Sequence, residues 1–275
     1  MKNNFLLFLV GITLMALFSL GFQNFGEAKK QKSDIPSKQE LRVMSYNIHH
    51  ANPPSKEDII DLKAIIETIK AEDPDLVALQ EIDADTQRSG KGNQAQQIGD
   101  ALSMHVFFGK AINFEKGEYG VAILSKFPIL DSEIIRLPTV VETNGEPRVL
   151  ATIDIELPDG GKIRFGSTHL DAQKADTNRL LQIQKIVEIT KKVKIPFIVA
   201  GDFNAAPGSE VIDILDKNLK RTCENCAPTI PAEAPEKAID FIAFRSDSRI
   251  SVMEHQVIEQ DYASDHLPVL AVLGI

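Results

Sequence analysis

From Leu41 onward, short and almost wholly apolar runs alternate with stretches of helical period. Leu41 to Tyr46, Leu76 to Leu79 and Phe197 to Ala200 predict strands buried on both faces. Between the first two, Lys56 to about Ala71 carries Ile59, Leu62, Ile66 and Ile69 on one face, which predicts a helix capped by Ser55 and ended by Asp73-Pro74-Asp75. Gln94 to Leu102 predicts a short helix, and His105 to Phe108, Tyr119 to Leu124, Leu130 to Leu137 and Val149 to Leu157 predict successive strands. Asp159-Gly160-Gly161 is a hairpin turn, so Lys162 to Thr168 is expected to pair antiparallel with the strand before it. Thr177 to Val193 places Leu180, Ile183, Val187 and Ile189 on one stripe of a surface helix. A short helix from Ser209 and strands at Asp240 to Phe244, Ile250 to Val257 and Leu267 to Val272 complete the chain.

Many hairpin-connected strands with a few amphipathic helices predict an α/β fold, two packed mixed sheets covered outside by helices. No repeat or linker interrupts residues 41–275, so one domain is expected there. Upstream, Lys2 precedes the apolar segment Phe5 to Phe22 and then Gly26-Glu27-Ala28, the pattern of a secretory signal over residues 1–28. The segment is also long enough to serve as an N-terminal membrane anchor. Residues 29–40, polar and lysine-rich, read as a flexible linker. The domain is therefore expected outside the cytoplasm, whether periplasmic, extracellular or tethered to a membrane through residues 5–22.

The 275 residues carry a formal charge of -9, and removal of residues 1–28 takes away one Lys and one Glu, leaving that balance unchanged. An anionic chain is poorly suited to gripping polyanions through bulk electrostatics. The two cysteines, Cys223 and Cys226, favour a local disulfide in an oxidising compartment. A redox pair or a zinc site finds no support in the neighbouring residues.

The chemistry lies at the strand ends. Gly201 supplies backbone freedom after Phe197 to Ala200, and Asp202 and Asn204 follow two residues apart, on one face of an extended chain. An Asx-turn or a helix cap accounts for that pair equally well when it is taken alone. Asn47, Glu81 and His169 also follow apolar strands, while Asp240 and Asp265-His266 precede them. In a mixed sheet the exits of some strands and the entrances of others share one rim, so these segments can meet in one cleft. Carboxylates with an amide and no cysteine suit a hard cation, Mg²⁺ or Mn²⁺. Two histidines and a further aspartate add proton transfer and charge stabilisation, the parts needed for metal-assisted phosphoester hydrolysis.

Arg42-Val-Met-Ser-Tyr-Asn47, Leu79-Gln-Glu81, Tyr119-Gly-Val-Ala-Ile-Leu-Ser125, Ser167-Thr-His-Leu-Asp171, Gly201-Asp-Phe-Asn204, Ile239-Asp-Phe-Ile242 and Ser264-Asp-His-Leu-Pro268 resemble, in this order, the endonuclease/exonuclease/phosphatase superfamily. The resemblance implies a four-layered α/β sandwich, a divalent-metal site and hydrolysis of a phosphate ester. It implies Glu81 as principal metal ligand with Asn47 and Asp265 beside it, Asp202 orienting or deprotonating water, and Asn204 holding the scissile phosphate. His266, oriented by Asp240, would face the phosphoryl oxygens, and His169 would contact a non-bridging oxygen or help the leaving group. Members that cut abasic DNA often carry an acid where this chain has His49, and Val121 stands where many relatives have asparagine. The inositol-polyphosphate branch is not resembled. Arg88, Arg148 and Arg179 are candidate phosphate clamps, with solvated or ion-paired roles the expectation for each. The expected substrate is a phospholipid, nucleic acid or small phosphodiester, and the expected state a monomer. A secreted endonuclease and a non-catalytic binding module on the same fold are the alternatives. The second is disfavoured because every acid and histidine of the set is present.

Overall fold

The computed structural model describes residues 39–56, 58–246 and 248–275; the expected export segment, and the linker up to residue 38, lie outside the described residues. In chain order the strands are β1 (Glu40–Asn47), β2 (Leu76–Ala84), β3 (His105–Phe114), β4 (Gly117–Ser125), β5 (Ile129–Arg136), β6 (Val149–Glu156), β7 (Lys162–His169), β8 (Phe197–Asp202), β9 (Leu219–Arg221), β10 (Asp240–Arg245), β11 (Ser251–Val257) and β12 (Val269–Gly274). The helices are α1 (Leu62–Glu72), α2 (Gln94–Leu102), α3 (Thr177–Lys192) and α4 (Glu210–Asp216). The strands form two six-stranded sheets, ordered β11-β12-β1-β2-β4-β3 and β5-β6-β7-β8-β10-β9. Each is antiparallel except for one central pair, β1 with β2 and β7 with β8.

Period-two alternation explains the layering, because each central strand has an apolar core on either side. Val43, Ala78, Ile123, Ala151, Phe165, Ile198 and Ile242 meet between the sheets. Their neighbours turn outward: Met44, Val77 and Leu124 pack against Ile65 and Ile69 of α1 and Ile98 of α2. Phe197, Val199 and Phe241 pack against Ile183 and Ile186 of α3 and Ile212 and Leu215 of α4. Helix, sheet, sheet, helix is thus the order of layers, as expected.

Several local expectations change. Helix α1 starts at Leu62 rather than Lys56, with Asp61 as cap: its Oδ1 accepts the Ala64 N–H at 3.1 Å. The preceding segment is drawn into a loop by Asn52, whose Nδ2 donates to the carbonyls of Lys56 (2.9 Å) and Ile59 (2.7 Å). Ile59 is consequently 49 % exposed, and Ile65, Thr68 and Ile69 form the buried face. Strand β3 runs on to Phe114 because β4 pairs with it along its whole length. Gly201 lies within β8 opposite Thr168, and a Cβ there would stand 2.1 Å from the Thr168 carbonyl oxygen. Close approach of β7, rather than a turn, requires that glycine. The hairpin after Glu156 and the Cys223–Cys226 disulfide form as expected.

Candidate active site

Strand register places the chemistry in two facing rows. In one sheet His169 at the end of β7 pairs with Asp202 at the end of β8, which pairs with Asp240 at the start of β10. In the other, Asn47 at the end of β1 pairs with Gln80 of β2. The β2–β4 ladder slips between Leu79 and Ile82, and Glu81 sits in that bulge with φ 58, turned out of the ladder. Asn47 joins the rows: its Nδ2 donates to Glu81 Oε1 and to Asp202 Oδ2, both at 3.1 Å. Its Oδ1 accepts the His49 N–H at 3.1 Å. Ser264 fastens the last motif to the same residue, donating from Oγ to the Asn47 carbonyl at 2.7 Å and accepting the His266 N–H at 3.2 Å.

Two imidazoles converge on one oxygen. Nε2 of His169 lies 3.4 Å from Asp202 Oδ2, and Nε2 of His266 lies 3.8 Å from the same atom. Nδ1 of His266 is 2.9 Å from Asp240 Oδ2, which also accepts the Thr229 hydroxyl at 2.5 Å. Nδ1 of His169 is 3.2 Å from Arg148 Nη1. A guanidinium only donates, so Nδ1 accepts and the ring proton of His169 sits on Nε2, facing Asp202.

Protonation follows from burial and neighbours. Burial and then the charge of Arg148 hold His169 neutral, well below its ordinary value. Burial would also lower His266, but Asp240, by charge and hydrogen bond, and then Asp202 and Asp265 outweigh it and push it up to about 10. Asp202 is raised, by burial first and then by the charge of Asp240. Glu81 goes the other way: burial raises it, yet His50, His169, Asn47 and His49 together hold it well below the carboxylate range. At neutral pH the rim therefore presents an ionised glutamate, an imidazolium, a neutral imidazole and an aspartate close to its titration point.

Asn47, Glu81, His169, Asp202, Asp240 and His266 thus meet, with Asn204 and Asp265 at their edge. Asn204, at φ 48, gives its N–H to Asp202 Oδ1 (2.8 Å) and its Nδ2 to the Leu170 carbonyl (3.0 Å), so the Asx-turn exists alongside the site. Asp265 lies at the rim, its Oδ1 3.9 Å from His49 Nδ1. Of the arginines, Arg179 is held by Asp176 and the carbonyls of Asp171 and Gln173, a structural clasp. Arg148 pairs with Glu146 at 2.9 Å, as expected of an ion-paired arginine, but it also touches His169 and so belongs to the site. Arg88 is gripped by Asp83 through Nε (2.7 Å) and Nη2 (3.0 Å) and lies over the rings of Phe114 and Tyr119. Glu81, Arg88, Phe114, Tyr119 and Glu146 line a cleft of about 100 Å³ at the mouth of the site. A larger hollow of about 560 Å³ lies away from it, beside the ion pair of Asp154 and Arg164, and holds none of the constellation. Thr229 and Ser264 also position the site; the Ser264-Asp-His motif signals the second, and no pattern around Thr229 signals the first.

The donors fit a hard cation. Glu81 stays ionised, Asp265 adds a half-exposed carboxylate, and Asn47 lies against Glu81. As arranged, the Asn47 Nδ2 bridges two carboxylates and supplies the positive end a cation would supply; ligation through Oδ1 requires the amide to turn.

Residues 44–266 match the model of the endonuclease/exonuclease/phosphatase family. Over 196 residues the chain is 30 % identical to an inositol phosphosphingolipids phospholipase C of Schizosaccharomyces pombe, covering 64 % of this chain and 44 % of that protein. It is 28 % identical to human nocturnin over 210 residues, covering 66 % and 47 %. The chain spans less than half the length of these relatives. A crystal structure of an endonuclease/exonuclease/phosphatase from Beutenbergia cavernae superposes with a TM-score of 0.76 at 24 % identity, over 86 % of this chain and 72 % of that one, a likeness of fold.

Proposed function

The chain belongs to the endonuclease/exonuclease/phosphatase family, and from that premise we propose a hydrolase of phosphate esters, an exported, divalent-metal-dependent phosphodiesterase acting on a phospholipid or other small phosphodiester. The observation that carries the reading is the approach of both Nε2 atoms to Asp202 Oδ2, with Asn47 tying that carboxylate to Glu81. Asp202 accepts the proton of the attacking water; its raised pKa suits a base working near neutrality. His266, charged and oriented by Asp240, offers Nε2–H to the phosphoryl oxygens as negative charge grows. His169 offers Nε2–H from a neutral ring, so it donates a hydrogen bond without adding a second full charge. Asn204 braces Asp202 through its backbone N–H. Held by Glu81, Asn47 and Asp265, Mg²⁺ or Mn²⁺ would neutralise phosphate charge and lower the barrier to in-line attack.

The charge of -9 favours a small or lipid-borne diester over a nucleic-acid polymer, and the phospholipase relative supports the same choice. The test is nitrophenol release from bis(p-nitrophenyl) phosphate with Mg²⁺, then a panel of phospholipid vesicles, duplex DNA and RNA. Asp202→Ala is expected to lower turnover by about 10³-fold or more, as removal of a central catalytic group does. Equal rates for the variant and the parent would remove the catalytic reading, and faster cleavage of DNA than of any small or lipid diester would overturn the substrate choice.

A further inference from the structure

Next to Glu81 stand two imidazoles that the hydrolytic scheme leaves without a role. His49, His50 and Ala51 all have left-handed backbone, φ 45, 44 and 60, conformations uncommon for non-glycine residues. The turn is fastened on several sides. Ala51 N–H donates to Ile48 O at 2.7 Å, Asn52 N–H to His49 O at 2.8 Å, and Gln94 Nε2 to His50 O at 2.8 Å. The result is a pair of consecutive rings with centroids 4.5 Å apart at an interplanar angle of 67°.

Nδ1 of His49 lies 3.0 Å from the Asn52 carbonyl, which can only accept, so the neutral ring keeps its lone pair on Nε2. A backbone carbonyl fixing the tautomer in this way is how metal-ligating histidines are ordinarily held. Nδ1 of His50 is buried and has no hydrogen-bond partner among the described residues. It stands 3.9 Å from Glu81 Oε2, outside hydrogen-bond reach. One ring nitrogen from each histidine and a Glu81 oxygen lie within 4.8 Å of one another. In a tetrahedral site with bonds of about 2.0–2.2 Å the donors are about 3.3–3.6 Å apart, so the 3.9 Å pair has only tenths of an ångström to close.

We propose that His49, His50 and Glu81 form a second cation position, sharing Glu81 with the first and selecting a first-row transition ion over Mg²⁺, Zn²⁺ and Co²⁺ ahead of the harder Mn²⁺. Two imidazoles and one carboxylate make a nitrogen-rich donor set of the kind used by zinc enzymes, and one to which Mg²⁺, which prefers oxygen, binds poorly. Asp265, 3.9 Å from His49, adds negative charge to the same side. The inference rests on Glu81 as a cation ligand but not on Asp202 or on turnover.

The test uses the metal-stripped full chain with excess Mg²⁺ present. Co²⁺ is titrated by calorimetry and visible absorption, and Mn²⁺ is examined by pulsed electron paramagnetic resonance for imidazole-nitrogen coupling. Asparagine tolerates left-handed backbone, so His49→Asn and His50→Asn preserve the turn. Expected are Co²⁺ binding that Mg²⁺ does not displace, weakened about tenfold or more in each variant, and nitrogen coupling in the parent that weakens in each variant. Co²⁺ affinity unchanged in both variants, or no nitrogen coupling in the parent, overturns the proposal. If one variant melts early the other decides, because coupling in the parent alone does not distinguish these rings from His266 beside Asp202 and Asp240. Failure of Asp202→Ala to affect turnover would leave these readouts untouched, which separates the two ideas.

Discussion

Arg148 does at the scale of a single residue what no neighbour can. Its guanidinium fills the Nδ1 lone pair of His169 and leaves the ring proton on Nε2, where Asp202 and a phosphoryl oxygen can meet it. Arg148→Gln is expected to lower turnover about 10²-fold, the usual scale for one oriented donor, and to move the acidic limb of the rate profile upward as His169 loses the cation that lowers it. Unchanged turnover in a pH-rate measurement would reduce Arg148 to the partner of Glu146. Thr229 is a quieter case. Its hydroxyl is one of two donors to Asp240 Oδ2, while Oδ1 of that carboxylate has no partner among the described residues. Thr229→Val should cost about 2 kcal/mol in denaturant unfolding, the scale of a hydrogen bond to a charged group.

At the scale of elements, the parallel pair β7–β8 sets the site, because it carries His169 and Asp202 side by side. Gly201 permits that approach, and Gly201→Ala is expected to destabilise by about 3 kcal/mol or to prevent folding, since the obstructing atom is a backbone oxygen that cannot move aside. Gly160, at φ 85 with nothing within 4 Å of an added Cβ, is the contrast: alanine there should cost only about 1 kcal/mol. Thermal melts of both variants compare crowding with backbone strain directly. The same elements show where local pattern runs out. The apolar spacing that fits a helix from Lys56 is overruled by Asn52 and Asp61, whose side-chain bonds compete for the same backbone. Strand β9, of three residues, is too short to leave a periodic signature.

Across the whole molecule the histidines divide by sheet position and by charge state. His255, half-buried on the edge strand β11, has Nδ1 against Thr222 Oγ1 at 2.8 Å and is lowered by burial. Its folded pKa lies below its unfolded value, so its contribution is intact above about pH 6.5 and is lost as pH falls toward the folded pKa. His266 is the reverse: its contribution is full below about pH 6.5 and fades as pH rises through about 10. Between pH 7 and 5, the melting temperature of His255→Gln should fall less than that of the parent. An identical fall in both would mean that His255 does not contribute to acid sensitivity.

The apolar runs, the polar residues at their ends and the order of the motifs were legible in the chain, since strand burial and strand mouths are properties of neighbouring residues. They determined two packed sheets with a shared rim, and a set of acids and histidines fit for phosphate-ester chemistry. The tertiary structure decided which of those groups touch: the Asn47 amide reaching Glu81 and Asp202, the bulge that turns Glu81 out, and Arg148 choosing the proton of His169. It also set two imidazoles beside Glu81. Such contacts depend on strand register and on the spacing between facing sheets. Both are fixed when distant segments pack, so the residues alongside any one of these groups carry no record of them.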